Sequence, residues 1–224
     1  MNKNEIEILI PTFNEEGNIE QVIKDLNLEG FNNITLLDAN SVDATVSIAK
    51  KYNCKILLDD KSIKGFGGSI INGLNKLESK YFCIFDGDNS FDPKGINFMM
   101  NEMENGYEFV FGTRYMNGAK SDDDTLLSKF ANYFFSKIVR ILFKINTTDA
   151  LFFFILGKKE NVDKLELKQQ DFTICTEFLI KSYKNFKCKE ILSKERKRLS
   201  GVSKVNKVFE GIKILGNILK LYFS

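Results

Sequence analysis

Apolar positions recur along this chain in two rhythms. Short apolar runs at Glu7–Ile10, Ile34–Asp38, Lys55–Leu58, Tyr81–Asp86 and Phe109–Gly112 read as strands. Between them, Glu15–Leu26, Asp43–Tyr52, Phe66–Leu77 and Pro93–Glu104 repeat apolar residues at helical spacing, the last opening with Asp92 as N-cap and Pro93 at the first helical position. Strands alternating with helices are the sequence form of an α/β fold, a parallel sheet covered by helices, and here it is of the nucleotide-binding kind.

After Thr113 the rhythm changes. An acidic loop at Ser121–Asp124 precedes a helix at Leu126–Ile145, and a further helix is expected near Thr176–Tyr183. In Leu126–Ile145, Lys129, Asn132, Ser136, Arg140 and Lys144 recur every three to four positions, while Phe130, Tyr133, Phe134, Ile138, Ile141 and Leu142 fill the rest. The tail Ser203–Ser224 repeats the scheme, with Lys204, Lys207, Lys213, Asn217 and Lys220 opposite Val208, Phe209, Ile212, Leu215, Ile218 and Leu219. Two readings stand for both helices: one covers the core, the other lies in a membrane interface. No linker or repeat interrupts the chain, so a single domain spanning 1–224 is expected, in stretches of 1–115 and 116–204 followed by an amphipathic tail at 205–224.

Composition narrows the chemistry. An apolar content of 43% in 224 residues suffices for a core. With 32 Lys and Arg against 30 Asp and Glu, the net charge of +2 gives no argument for nucleic acid. Cys54, Cys83, Cys175 and Cys188 show no paired spacing and read as reduced core cysteines of a cytosolic protein. The longest uncharged apolar run, Ala150–Gly157, is too short to cross a bilayer. The chain contains no histidine, which removes the commonest general base and transition-metal ligand. Chemistry must then rest on carboxylates, hydroxyls, Lys, Arg, Cys or a hard metal ion.

The strongest candidate is Phe85-Asp86-Gly87-Asp88, two carboxylates one residue apart at the end of an apolar strand. In extended backbone, residues two apart project to the same side, so Asp86 and Asp88 can approach one Mg²⁺ or Mn²⁺ bridging a diphosphate. A plain strand-ending turn uses the same residue types. Asp38 ends the second strand and is suited to accept from a nucleobase or ribose, while Ser41 and Asp43 are placed to cap the next helix. Ile10-Pro11-Thr12-Phe13-Asn14-Glu15 ends strand one at the same rim. Lys64-Gly65-Phe66-Gly67-Gly68 supplies a cation and glycines that permit backbone approach to phosphate, although a plain loop looks alike. Arg114, after strand five, and the cluster Arg196–Lys204 add cations able to grip phosphate oxygens.

The order of these motifs resembles the family-2 inverting glycosyltransferases, above all the branch of dolichol-phosphate mannosyl- and glucosyltransferases and their bacterial polyprenyl-phosphate relatives. The matches run through Ile10–Glu15, Asp38–Thr45, Lys64–Gly67, Asp86–Asp88, Gly112–Tyr115, Thr148-Asp149-Ala150, Glu177 and Arg198–Lys204, nearly the whole chain. The resemblance implies a GT-A fold in which Pro11, Phe13, Glu15 and Asp38, joined by Ser41, Lys64 and Gly87, surround the nucleotide sugar. Asp86 and Asp88 would hold the metal, Arg114, Arg198 and Lys204 would contact donor or acceptor phosphates, and Leu126–Ile145 would match an interfacial helix. Three departures stand out: Ala39 replaces a usual second Asp, Ser90 and Phe91 replace a Gln-like group and a common His, and Phe152-Phe153 replace a Ser-Gly pair.

The implied reaction is transfer of a hexose from GDP-mannose or UDP-glucose to a polyprenyl phosphate, in one inverting displacement at the cytoplasmic face of a membrane. A phosphate acceptor, with a second pKa near 6, needs no general base. A sugar hydroxyl in a surface glycan would need one, and Asp149 is the matching carboxylate. The rival from another class is a catalytically silent domain that binds a nucleotide sugar or a partner. A homo-oligomer and a membrane partner subunit are both compatible with the amphipathic helices.

Overall fold

In the computed structural model, residues 1–116, 125–200 and 207–223 are described. The acidic loop at Ser121–Asp124 and Lys204 lie outside them. The elements in chain order are β1 (Ile6–Thr12), α1 (Ile19–Leu28), β2 (Ile34–Asp38), α2 (Thr45–Lys51), β3 (Lys55–Leu58), α3 (Gly65–Asn75), β4 (Tyr81–Ile84), α4 (Lys94–Glu104), β5 (Phe109–Thr113), α5 (Leu126–Phe143), β6 (Ile155–Lys158), α6 (Ile174–Asn185), β7 (Cys188–Leu192) and α7 (Lys207–Phe223).

The strands form one seven-stranded sheet in the order β3-β2-β1-β4-β6-β5-β7. Only β6 runs against its neighbours, pairing antiparallel with β4 through Ile84↔Ile155 and with β5 through Phe111↔Ile155. Successive strand residues point to opposite faces. Leu9, Leu37, Phe82, Ile84, Phe109 and Phe111 therefore share one core with α3, α5, α6 and α7, and Ile8, Ile10, Leu36, Cys83, Phe85 and Val110 share the other with α1, α2 and α4. All four cysteines are unpaired thiols, Cys83 and Cys175 buried within these cores.

The first five strands fall where the apolar runs place them. β6 and β7 are additions. β6 occupies the second half of the Ala150–Gly157 run, whose short length stands out in the sequence but whose antiparallel pairing does not. α1 begins at Ile19 rather than Glu15, because Asn14 is left-handed (φ 55°) and the Glu15 carbonyl closes a turn on Asn18 and Ile19. Asp92 does cap the fourth helix, accepting from the Lys94 amide at 3.1 Å.

α5 and α7 settle the orientation of the amphipathic helices in an unexpected sense. The polar residues Asn132 and Ser136 of α5 face inward with Phe135 and Val139. Asn132 Nδ2 donates to the Thr148 carbonyl (3.4 Å), and Ser136 Oγ accepts from the Ala150 amide (2.9 Å). Phe130, Tyr133, Phe134 and Ile141 are exposed instead, as are Phe209, Ile212, Leu219 and Tyr222 of α7. α7 keeps Ile214, Asn217 and Ile218 inside, and Asn217 Nδ2 donates to Thr173 O (3.3 Å) and Thr176 Oγ1 (3.2 Å). No helix among the described residues is long and apolar enough to cross a membrane.

Candidate active site

Because β1, β2, β4 and β5 point the same way, Thr12, Asp38, Ile84 and Thr113 end at one rim of the sheet, where ligands of open α/β sheets bind. The reversed β6 enters at that rim, so residues 150–154 join it; the Gly112 amide donates to Phe154 O at 2.8 Å.

Two loops on the β1–β2 side are fastened together. Asp38, fully buried, accepts from Thr12 Oγ1 (3.0 Å), the Ser41 amide (2.8 Å) and Ser41 Oγ (2.6 Å). Ser41 Oγ in turn accepts from the Asn14 amide (2.9 Å), Asn14 Oδ1 from the Val42 amide (2.9 Å), and Thr45 Oγ1 from the Glu15 amide (2.7 Å). Both oxygens of Asp38 are thus engaged within the protein. Through these bonds Asp38 and Ser41 shape the loop that carries Phe13, which is 47% exposed at the rim, and Glu15. Pro11 lines the adjoining cleft.

β4 delivers the acidic pair. Asp88 Oδ1 accepts from the Ser90 amide (2.9 Å), and Oδ2 lies 3.0 Å from Arg198 Nη2. Gly87 lets the loop pack on β1, since a Cβ there would meet Thr12 Cγ2 at 3.2 Å and Pro11 O at 3.3 Å. Burial, with added repulsion from Asp88 and Glu15, pushes the Asp86 carboxyl well above its ordinary range, and Arg198 only partly opposes this. Two crowded carboxylates in such surroundings are stabilised by a nearby cation, which fits a Mg²⁺ or Mn²⁺ that takes its other ligands from diphosphate and water. No group of three or more His, Cys, Asp or Glu side chains poised for a metal occurs among the described residues, so the protein's share of such a site would be Asp86 and Asp88.

Opposite them stands Arg114. Its Nε and Nη2 form a fork onto Asp149 at 2.8 and 3.0 Å, its backbone amide donates to Asp149 Oδ2 at 3.1 Å, and Nη1 reaches Glu195 Oε1 at 3.3 Å. The guanidinium also sits over the Phe152 ring at 4.8 Å. Burial works against its charge, but Asp149 and Glu195 more than offset this and hold its pKa above the ordinary value. The Asp149 side chain has no exposed surface.

Between Asp86/Asp88 and Arg114 lies a cavity of about 180 Å³. Ser90, Glu195 and Arg198 complete its polar lining, and Phe66, Phe91, Phe152, Phe153 and Phe172 form its apolar wall. Phe91 and Phe152, two of the departures from the family pattern, meet at a tilt of 54° with 4.6 Å between ring centres, and Phe66 stacks on Phe172 at 4.6 Å. Ala39 is exposed beside the fastened loops and Ser90 is buried beneath Asp88.

The glycine-rich segment packs closely on neighbouring backbone. Gly65 (φ 64°) and Gly67 admit the backbone of residues 169–171: a Cβ on Gly67 would lie 2.3 Å from Gln169 O and 2.8 Å from Asp171 O, and the Gly68 amide donates to Gln170 O at 3.1 Å. Glu177 secures that backbone from the other side, accepting from the Lys168 and Gln169 amides at 2.9 and 2.8 Å. Lys64 is exposed at the start of α3 and does not line the cavity. Gly67→Ala is expected to destabilise the fold by roughly 1–3 kcal/mol, since backbone rather than a flexible side chain must yield, and urea unfolding checks it.

Two carboxylates escaped the sequence reading. Glu195 sits three residues before Arg198 within a run of cations, where an acid stands out only once the run is known to cross the rim. Glu190 lies on β7 between Lys189 and Ile191, where it reads as one more surface charge. Its oxygens accept from the Thr148 amide (3.0 and 2.9 Å) and from the hydroxyls of Thr147 and Thr148, while burial pushes its pKa up and these bonds oppose it. It thereby fixes the segment that presents Asp149 to Arg114.

Comparison with known proteins agrees with this geometry. The family model for glycosyl transferase family 2 matches residues 7–166. An uncharacterized protein of Methanocaldococcus jannaschii is 28% identical over 98% of this chain and 93% of its own length. The dolichol-phosphate mannosyltransferase of Pyrococcus furiosus is 29% identical over 79% of this chain, which spans 52% of that enzyme. Among solved structures, glucosyl-3-phosphoglycerate synthase of Mycobacterium tuberculosis, in complex with Mn²⁺, uridine diphosphate and phosphoglyceric acid, superposes with a TM-score of 0.75 at 14% identity, over 97% of this chain and 78% of that one. The fold is GT-A, and the chain belongs to glycosyl transferase family 2.

Proposed function

We propose that this glycosyltransferase moves a hexose from a nucleotide sugar, of the GDP-mannose or UDP-glucose type, to a polyprenyl phosphate at a membrane surface, inverting the anomeric carbon. The observation that carries the reading is the cavity itself, with the Asp86/Asp88 pair on one wall and Arg114 and Arg198 on the others. A divalent metal held by Asp86 and Asp88 would neutralise charge developing on the leaving diphosphate. Phe13, at the rim, offers an aromatic face to the base, and Arg198 a guanidinium to phosphate oxygens. Lys204, outside the described residues, is proposed to add a further phosphate contact.

In this reading Asp149 is a positioning residue. With both oxygens on Arg114 and no exposed surface it is poorly placed to take a proton from an acceptor hydroxyl. A phosphate acceptor, already largely dianionic at neutral pH, makes no such demand. The outward aromatic residues of α5 and α7, interspersed with Lys129, Lys137, Arg140 and Lys220, suit a peripheral position on an anionic bilayer. The mannosyltransferase relative, named for dolichol phosphate, supports the acceptor class.

The test is a transfer assay with labelled nucleotide sugars, polyprenyl phosphate in vesicles, and Mn²⁺, Mg²⁺ or EDTA. Metal-dependent label in the extracted lipid, with the anomer read by NMR, is the expected result. Label in added glycans alone would replace the acceptor, and absence of nucleotide-sugar binding would favour the silent-domain reading. A separate expectation concerns the helices: Phe130→Ser with Tyr133→Ser should lower co-sedimentation with anionic vesicles several-fold at unchanged thermal midpoint, because exposed rings are removed without opening the core.

A further inference from the structure

Glu195 lines the cavity without belonging to the acidic pair or to the bidentate fork of Asp149 on Arg114. It is buried, yet it lines the cavity together with Asp88, Arg114 and Arg198. Its backbone is held on both sides. Residue 195 bridges to Phe91, the Arg196 amide donates to Ser90 O at 2.7 Å, and the Arg196 guanidinium is clasped by Asp25 and Asp92 at 2.7 and 2.8 Å. A contact of 3.3 Å from Arg114 Nη1 steers the carboxylate from within the cavity.

An anion so placed is repelled by diphosphate and by an acceptor phosphate, so phosphate recognition does not account for it. What a buried, oriented carboxylate does bind well is a hydroxyl donor, in a charge-assisted hydrogen bond. The apolar wall beside it points to the same class of ligand. Phe152 lies under Arg114 and against Phe91, and rings of this kind pack against the C–H faces of a pyranose while a carboxylate takes its hydroxyls. We propose that Glu195 accepts from one or more hydroxyls of the transferred pyranose and sets which sugar the enzyme takes from its nucleotide. The inference rests on the donor reading above and adds to it the residue that discriminates among hexoses.

The experiment compares the full chain with Glu195→Gln and Glu195→Asp, using a panel of nucleotide sugars and their nucleoside diphosphates with Mn²⁺. Glu195→Gln should leave nucleoside diphosphate affinity unchanged while raising KM for the preferred nucleotide sugar about ten- to a hundred-fold, as expected for loss of one charged hydrogen bond. Donors lacking one hydroxyl at a time supply the decisive arm. One deoxy position should be strongly discriminated by the natural chain and hardly at all by the variant. If Glu195→Gln does not fold, Glu195→Asp serves for the same comparison, since it keeps the charge and shortens the reach. Equal weakening of diphosphate and sugar nucleotide would overturn the inference and make Glu195 a support for Arg114. A fall in kcat at constant KM, with loss of the acidic limb of the pH profile, would overturn it in favour of a general base. Failure of the natural chain to bind any nucleotide or nucleotide sugar would remove the donor reading and this inference together.

Discussion

Asp88→Ala is expected to lower transfer by at least about 10²–10³-fold, the order lost when a group that stabilises developing charge is removed. The argument is local. Asp88 is mostly buried, its Oδ1 orders the turn through the Ser90 amide, and its Oδ2 balances Arg198 at 3.0 Å. Removal leaves Asp86 alone, so a divalent ion held there would lose one of its two proposed carboxylates, while Arg198 would lose the counter-charge at 3.0 Å. Thermal-shift titration with nucleotide and Mn²⁺ separates these effects. The natural chain should be stabilised by nucleotide only when metal is present, and the Asp88→Ala chain should show little metal-dependent gain. Unchanged Mn²⁺-dependent stabilisation in both Asp86→Ala and Asp88→Ala would end the metal assignment.

Asp149→Ala should cost roughly 3–5 kcal/mol of stability, the largest folding effect expected of any single change at the site. The fork onto Arg114 joins a side chain 13% exposed to one with none, and truncation strips a buried guanidinium of its bidentate carboxylate while the longer contact to Glu195 stays. The cost arises from that uncompensated charge more than from a lost attraction. Adding Arg114→Met to Asp149→Ala should therefore recover part of the stability even though it adds a second substitution, whereas additive losses would contradict the explanation. Chemical denaturation of the four chains measures this directly. The double variant should regain part of its midpoint without regaining transfer, because Arg114 also lines the cavity.

Much of the scaffold was legible from sequence because parallel strands buried on both faces are nearly continuous apolar runs, a form that β1, β2, β4 and β5 share, while the edge strand β3 keeps a short apolar run though it is less buried. β7 did not, since Cys188-Lys189-Glu190-Ile191-Leu192 reads as half polar; Glu190 becomes tolerable in the interior only through its bonds to Thr147 and Thr148. β6 exists through pairing with β4 and β5, which no local pattern contains. Asp86, Asp88, Arg114 and Arg198 were legible as members of one rim because each follows a strand end or shares the family order. The partnership of Arg114 with Asp149, and the use of the glycines at 65 and 67 to admit residues 169–171, depend on segments about 35 and 100 positions apart meeting in space. The helices α5 and α7 show the same limit of periodicity. Their polar stripes include Asn132, Ser136 and Asn217, which turn inward because neighbouring backbone and hydroxyl groups await them, and apolar rings take the outside.

The reversed strand β6 has a consequence for chemistry. By lying between β4 and β5 it sets the strands that lead to the acidic pair and to Arg114 two strand spacings apart, about 10 Å. Since it runs the other way, its leading end brings Phe152 and Phe153 up into that interval. The width of the rim between those two strand ends is thus set by sheet geometry, hydrogen-bonded on both edges, rather than by a loop: an internal ruler that resists stretching.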